Sequence, residues 1–165
     1  MNKADSVIDV KNLSKSFGKN KVLAGIDLEL KRAENLVVLG KSGSGKSVLI
    51  KCIVKLVVPD SGSIHVLGKD ILQSSQKELT EIREKIGFLF QSAALYDSMT
   101  VKENLEFPLI RKNRKIKRDE IDHKIHEVLE NVGLEKALLK MPSELSGGMR
   151  KRIGLARTLI LEPEI

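Results

Sequence analysis

The feature that most limits the possible folds is a glycine-rich loop between an apolar run and a helical pattern. Gly40–Ser47 has the sequence Gly-Lys-Ser-Gly-Ser-Gly-Lys-Ser and fits the phosphate-binding pattern G-x-x-x-x-G-K-[ST] at every fixed position. The run before it, Leu36–Leu39, is short, apolar and rich in valine, as expected of a strand covered on both faces. After the loop, apolar residues recur at helical spacing: Val48, Leu49, Cys52, Ile53 and Leu56. A strand, a phosphate loop and a helix are therefore predicted in succession.

Each residue type in this loop has a physical reason. Glycines let the backbone wrap closely around phosphate oxygens and point its N–H groups inward. Lys46 supplies a mobile positive charge to the β- and γ-phosphates, and the Ser47 hydroxyl is an oxygen ligand of the kind Mg²⁺ prefers. The alternative is a chance glycine-rich turn, and both flanking patterns argue against it. The predicted nucleotide-binding residues of the loop are Gly40, Lys41, Ser42, Gly43, Ser44, Gly45, Lys46 and Ser47.

A second glycine element, Ser-Gly-Gly, occurs at residues 146–148. Ser146 is a good N-cap, and Gly147 and Gly148 leave bare N–H groups at a helix start. The apolar residues that follow at helical spacing are Met149, Ile153, Ala156, Leu159 and Ile160. A helix N-terminus without side chains in the way suits an anion. An ordinary capped helix with a flexible entry explains the same residues, and both interpretations remain open on this segment alone.

Composition and charge narrow the class of protein. A chain of 165 residues with 41% hydrophobic and 31% charged residues is long enough for one globular domain with a core. The single cysteine, Cys52, excludes an internal disulfide and is expected to be a small buried helix residue. The net charge of +7 is concentrated in Arg111–Arg118, which has no interleaved aromatics for base stacking. This run is interpreted as a solvated connector or helix face, with a nearby membrane surface as the alternative.

The remaining elements follow from patterning and turn signals. Alternation predicts strands at Val7–Val10, Ile26–Leu30 and Ser63–Leu67, with a turn at Gly18–Asn20. Ile86–Phe90 is a second apolar run predicted to be a buried strand, after a helix at Gln76–Lys85. Thr100 and Glu103 form a capping box for a helix that Pro108 ends or bends. A further amphipathic helix spans Ile121–Val132 and is closed by Gly133.

Two isolated residues have open interpretations. Gln91 follows the second apolar run, where its amide oxygen could contact Mg²⁺ or an attacking water, or could simply cap a strand. Phe17 lies beside a turn in a chain with only 3% aromatics, where it could stack on a nucleotide base or belong to a local core.

Taken together and in this order, the motifs resemble those of the ATPase subunits of ABC transporters. Gly40–Ser47 corresponds to the Walker A loop, Gln91 to the Q-loop and residues 145–149 to the signature motif. Phe17 falls where the family places an aromatic residue that stacks on adenine. Residues 91–104 and the signature are similar to the ATPases of Mla/Mkl-type lipid transporters. Met149 stands where the family usually has glutamine, and the lipid-transport branch often has methionine.

This resemblance implies an α/β fold, a P-loop NTPase core with an antiparallel β subdomain and an inserted helical subdomain. The implied segments are 1–91 for the nucleotide-binding core, 92–144 for the helical subdomain and 145–165 for the signature helix. The implied cofactors are ATP and Mg²⁺, with Lys46, Gln91 and Ser146 in catalysis and Ser47 and Gln91 toward the metal. The implied partners are a second ATPase subunit packed head to tail, a transmembrane permease and a lipid-binding protein, without nucleic acid. The implied location is the cytoplasmic face of a bacterial inner membrane.

In the family, the Walker B strand, the catalytic Glu, the D-loop and the switch His follow a stretch like Leu161–Ile165, so the resemblance implies a fold truncated before the Walker B strand. ATP hydrolysis is therefore expected of the complete protein. The isolated 165-residue chain is expected to be unstable or to aggregate, because its sheet would expose apolar edges, and to hydrolyse ATP negligibly. Two alternative classes are a non-transport ABC-type ATPase and a nucleotide-binding module without catalysis.

Overall fold

Two long antiparallel strands organise the first part of the chain. The computed structural model describes residues 6–165 and divides the chain into two units that meet between Arg83 and Glu84. In the first unit, β1 (Ser6–Phe17) pairs with β2 (Asn20–Lys31) on one side and with β3 (Ser61–Val66) on the other. The short β4 (Lys69–Asp70) extends the sheet, giving the order β2-β1-β3-β4. The predicted strands at 7–10 and 26–30 are thus confirmed within longer elements, and the one at 63–67 is confirmed except for Leu67, which follows the end of β3.

Two helices complete the first unit. α1 (Lys46–Ile53) ends three residues before the predicted limit of its helical pattern, because Lys55 adopts a left-handed conformation with φ 53°. α2 (Gln76–Glu84) matches its prediction and contacts the end of α1 through Arg83, which donates to the carbonyls of Val54 and Lys55. Cys52 is fully buried, as expected, and this burial raises the pKa of its thiol. The buried residues of the unit include Val10, Leu13, Leu49, Cys52, Ile64 and Val66.

Three helices share one core in the second unit. They are α3 (Val101–Lys112), α4 (Arg118–Asn131) and α5 (Gly147–Leu159), with 3-10 turns at Glu135–Ala137 and Pro142–Glu144 between the last two. The capping box of Thr100 and Glu103 is present. Gly133, at φ 63°, closes α4 in a Schellman motif as predicted. The shared core contains Val101, Leu105, Leu109, Ile121, Ile125, Leu129, Ile153 and Ala156.

The basic run lies between two helices of this core. Arg111–Arg118 covers the last turn of α3, the connection and the first residue of α4, which agrees with its interpretation as a connector. Lys112 donates to the carbonyl of Leu161, and Arg118 pairs with Glu106 and Asp122. Because these partners belong to the same unit, part of the run's charge is used to fix the helices.

The predicted strands at Leu36–Leu39 and Ile86–Phe90 are wrong as secondary structure. Among the described residues, neither run pairs with another strand, and neither forms a regular element. Val37 and Leu39 are 74% and 87% exposed. The run at 86–90 meets the chain end only at its start, where Gly87 donates to the carbonyl of Ile165 at 2.6 Å. A strand covered on both faces needs neighbouring strands as well as a suitable sequence, and residues 6–165 supply none for these runs.

Pro108 does not end its helix, so that part of the prediction is also wrong. α3 continues for four residues beyond the proline, to Lys112. Leu105 on one side of Pro108 and Leu109 on the other are both buried in the three-helix core. Packing on both sides therefore offsets the hydrogen bond that proline removes.

Candidate functional site

The phosphate loop leads directly into α1 and depends on glycine geometry. Gly43 and Gly45 have φ values of 79° and 93°, which favour glycine strongly. Gly45 is also the N-cap of α1, and a Cβ there would lie 2.9 Å from both the Cγ1 and the carbonyl oxygen of Val22. Conformation and close approach to β2 therefore both require glycine at this position. The loop itself is otherwise exposed.

Lys46 places its ammonium group inside this loop. Its Nζ donates to the carbonyl oxygens of Gly40 and Lys41, both at 2.7 Å. The first turn of α1 contains no acidic residue, and its N-cap contributes no side-chain acceptor. The N–H groups of that turn and the helix dipole are thus available to an anion, which would compete with the loop carbonyls for the ammonium group. Ser47, the second residue of α1, is exposed.

A cavity of about 640 Å³ adjoins the loop in the first unit. Its walls are mostly apolar and include Leu36–Leu39, Leu49 and residues of β2. Asp27 and Glu29 also line it, together with Lys46 and part of the loop, so its lining carries both signs of charge. With mostly apolar walls, the cavity is better suited to packing against apolar residues than to holding phosphates, which belong at the exposed N–H groups of the loop.

Phe17 is the last residue of β1 and lies at the turn that joins β1 to β2. Its side chain is 51% exposed, so the alternative that it belongs to a local core is wrong. The ammonium of Lys15 lies 5.4 Å from the ring centroid, and the same ammonium donates to Asp60 at 2.8 Å. That bond and the N–H of Ser16 hold the pKa of the Asp60 carboxyl below its usual range. An ordered, exposed aromatic ring at a strand end can stack on a flat ligand.

The Ser-Gly-Gly element forms the start of α5 as predicted. Ser146 is the N-cap, and its hydroxyl accepts from the N–H of Met149 at 3.3 Å. Gly147 and Gly148 are exposed, and no atom lies within 4 Å of a Cβ built at either residue. The first turn of α5 contains no acidic residue. This helix start can therefore approach an anion on another molecule without steric obstruction.

Gln91 opens a tight turn and does not end a strand. It is exposed, and residues 91–94 form the turn. Ala93 and Ala94 have φ values of 62° and 49°, a conformation that costs a non-glycine residue about 1–2 kcal/mol. Strain of this kind persists only where the surroundings fix it. Here Ala93 is buried, and the Ala94 carbonyl accepts from Arg157 of α5 at 2.5 Å.

Asn104 is a key residue of this region that sequence reasoning missed. Its side chain is fully buried, and its amide oxygen accepts from the N–H of Tyr96 at 2.8 Å. Its amide nitrogen donates to the carbonyls of Tyr96, Met99 and Thr100. A signal was available, since an asparagine three residues after Val101 falls on the apolar face of α3. This one side chain makes four hydrogen bonds to the segment between the Gln91 turn and α3.

Comparisons with known proteins place these motifs in a family. The family model described as ABC transporter matches residues 23–165. The chain belongs to the ABC transporter family. It is 48% identical over 158 residues to the "Probable ribonucleotide transport ATP-binding protein mkl" of Mycobacterium leprae, covering 96% of this chain and 45% of that protein. It is 38% identical over 172 residues to "Protein TRIGALACTOSYLDIACYLGLYCEROL 3, chloroplastic" of Arabidopsis thaliana, covering 99% of this chain and 49% of that protein.

A solved ABC structure has the same fold. The dimeric post-hydrolysis state of the ATP-binding cassette MJ0796, bound to ADP and Pi, matches with a TM-score of 0.86 and 34% identity. The match covers 94% of this chain and 70% of that one. The ABC ATPase fold expected from the sequence, mixed α/β with an antiparallel sheet and several helices, is thus confirmed. The chain spans less than half the length of the two curated ABC relatives.

The site residues of this ABC chain divide between its two units. Gly40–Ser47 and Phe17 belong to the first, and Gln91 and Ser146 belong to the second. No group of three or more His, Cys, Asp or Glu residues that could hold a metal occurs among residues 6–165. Mg²⁺ bound through nucleotide phosphates needs only one or two protein oxygen ligands, and the Ser47 hydroxyl of the first unit is an oxygen donor of that kind. No helix within 6–165 has the length and apolarity needed to cross a membrane.

Proposed function

We propose that this chain is the ATP-binding part of an ABC transporter subunit that couples ATP binding and hydrolysis to transport. The observation that supports this most is the fully matched loop at Gly40–Ser47, with the Lys46 ammonium inside it and an uncapped helix start behind it. Three positive contributions converge there: the ammonium, the helix dipole and bare N–H groups. A nucleoside triphosphate is the ligand class with enough negative charge to use all three.

The N-termini of α1 and α5 contact the same nucleotide from two different copies of the protein. Lys46 and the first turn of α1 hold the β- and γ-phosphates of a nucleotide bound to the same chain. Ser146, Gly147 and Gly148 of a second copy, packed head to tail, present the α5 start to that γ-phosphate. As charge develops on the transferred phosphoryl group, these fixed donors stabilise it. Phe17 stacks on the base.

Mg²⁺ supplies charge neutralisation on the phosphates when it is bound. Ser47 offers a hydroxyl oxygen to it from the first turn of α1. Gln91 offers a neutral amide oxygen from an exposed turn whose other end, at Ala94, accepts a hydrogen bond from Arg157 of α5. A residue placed in this way responds both to the nucleotide and to movement of the helices that contact a permease.

We infer a phospholipid cargo and a position at the cytoplasmic face of a bacterial inner membrane, with a permease and a lipid-binding protein as partners. Residues 91–104 and the signature with Met149 support this inference, because they resemble the lipid-transport branch. The names of the two curated relatives point to different cargoes, one to ribonucleotides and one to a glycerolipid. Crosslinking of a photoreactive phospholipid to the assembled transporter during transport tests the proposed cargo. Capture of ribonucleotides in place of lipid would overturn the phospholipid proposal.

A substitution at the α5 start tests the two-copy site. Ser146→Arg places a bulky cation where a second copy's nucleotide must fit, so it should leave ATP binding to the single protein unchanged and abolish ATP-dependent dimers. Ser143→Arg is the matched control, since Ser143 is also exposed and lies three residues earlier in the Pro142–Glu144 turn. Analytical ultracentrifugation of the intact protein with Mg²⁺ and ATP provides the measurement. Normal dimers in Ser146→Arg would refute the assignment.

A further inference from the structure

Arg157 joins α5 to the turn that begins at Gln91. Its Nη1 donates to the carbonyl of Ala94 at 2.5 Å. Its guanidinium also lies 4.7 Å from the ring centroid of Tyr96, within the range of a cation–π contact. Tyr96 in turn meets Phe107 of α3 edge-on, with ring centroids 5.2 Å apart. One side chain on α5 thus holds two points of the segment that leads from Gln91 to α3.

The backbone of α5 lies close against the same turn. A Cβ built on Gly154 would stand 2.7 Å from the Cβ of Ala93 and 3.1 Å from its Cα. No side chain larger than hydrogen fits there without moving the turn or the helix. Arg157 and Gly154 are three residues apart, so they lie on one face of α5. Contact and hydrogen bond therefore act together on Ala93 and Ala94.

The conformation of the turn needs this support. Both alanines are left-handed, and a free turn with these residues would relax to an unstrained conformation. Asn104 fixes the far end of the segment at Tyr96. Between Gln91 and Tyr96, α5 supplies the hydrogen bond to Ala94 and the close contact with Ala93, in addition to the turn's own bond from the N–H of Ala93 to the carbonyl of Phe90.

We infer that Arg157 is a positioning residue that makes the Gln91 turn and the start of α5 move as one body. This inference rests on the proposed function for its purpose, because it ties the residue offered to Mg²⁺ to the helix start offered to a second copy's nucleotide. α5 is a continuous helix from Gly147 to Leu159, so Arg157 acts over about 15 Å of rigid backbone. A displacement of the turn at Gln91 is thereby carried to Ser146.

Hydrogen exchange measured by mass spectrometry tests the link in the intact protein. Arg157→Met removes the donor and the charge, so exchange should rise in peptides covering 91–96 and also at the first hydrogen-bonded N–H groups of α5, 150–153. α4 should be unaffected, which separates a lost link from general destabilisation. Arg152→Met is the matched control, because Arg152 is on the same helix and donates to the carbonyl of Val132. Arg157→Lys keeps a donor and a charge and should restore part of the protection.

Tyr96 gives an independent signature, since it is the only tyrosine in a chain without tryptophan. Acrylamide quenching of its fluorescence should rise in Arg157→Met by at most about 2.5-fold, because the ring is already 40% exposed. Arg152→Met should leave quenching unchanged. If Arg157→Met left exchange at 150–153 unchanged, or raised exchange equally in α4, the inference would be overturned whatever the quenching shows.

The same experiment separates this inference from the proposed function. In the unaltered chain, adding Mg²⁺ and ATP should slow exchange at 91–96 and at 150–153, and the two segments should respond together. In Arg157→Met, the response of one segment should no longer accompany that of the other. If the nucleotide slowed neither segment in the unaltered chain, the proposed function would fail, while the nucleotide-free comparison would still decide the role of Arg157.

Discussion

Replacement of Asn104 by leucine tests how the segment before α3 is held. Leucine has a similar volume, so the change removes hydrogen bonds with little change in packing. The amide makes four contacts, but its two N–H groups serve three carbonyls, so about three full bonds are lost. At about 1 kcal/mol each, the loss is about 3 kcal/mol. Burial of the leucine side chain stabilises the unit by about 1 kcal/mol, and the Tyr96 N–H left without an acceptor destabilises it by about 1 kcal/mol, so these two contributions cancel.

The expected destabilisation of the second unit by Asn104→Leu is therefore about 3 kcal/mol. Helices α3, α4 and α5 lie in that unit, so far-UV circular dichroism during urea titration reports mainly on it. With a slope of about 2 kcal/mol per molar urea, the midpoint should fall by about 1.5 M. Asn131→Leu, at the exposed end of α4, is the control and should shift the midpoint little. Equal small shifts in both variants would refute the reasoning.

Three further predictions concern the loop, a helix cap and the strained turn. Gly45→Ala should weaken ATP binding by about tenfold or more in equilibrium binding measurements, because Gly45 has φ 93° and a Cβ there would contact Val22. Gly68→Ala is the control and should leave binding unchanged, since Gly68 has φ 75° but no atom lies within 4 Å of its Cβ position. Hydrogen bonds from Thr100 lower the pKa of Glu103, so the ionised carboxylate stabilises the folded state above its ordinary pKa of 4.5. This stabilisation is lost as pH falls through the lowered pKa of the folded state. Unfolding curves of Glu103→Gln should therefore differ from those of the unaltered chain at neutral pH and converge in acid. Ala94→Gly should raise the free energy of unfolding by about 0.5–1 kcal/mol, because glycine adopts φ 49° without strain. The thermal midpoint should rise accordingly, and an unchanged or lower midpoint would argue against strain at this residue.

Local signals predicted most of the elements correctly. The capping box at Thr100, the N-cap at Ser146 and the closure of α4 at Gly133 are each decided by a few neighbouring residues. The alternating strands were also predictable, because their burial pattern is set by one face of an antiparallel sheet. The helix that continues from Gly40–Ser47 was likewise predictable from its apolar spacing, whereas the strand expected before the loop was not.

The errors concern features that depend on distant partners. Leu36–Leu39 has the composition of a buried strand, but composition alone does not provide a neighbour to pair with, and the run is exposed. The expectation that Pro108 ends α3 was wrong, and the helix continues because Leu105 and Leu109 pack on either side. The Arg157 contacts with Ala94 and Tyr96 span about sixty residues, which no local pattern indicates. Asn104 could have been found by asking what a buried amide would bind.

The central claim is that Gly40–Ser47 holds the phosphates of a nucleotide, with Lys46 as its cation. Equilibrium binding of a fluorescent ATP analogue with Mg²⁺, followed by anisotropy, tests it most directly. We expect saturable binding to the intact protein, a loss of about tenfold or more in Lys46→Ala, and no change in Lys51→Ala, since Lys51 is an exposed lysine on the same helix outside the loop. Absence of binding to the intact protein, or equal affinity in Lys46→Ala, would contradict the account.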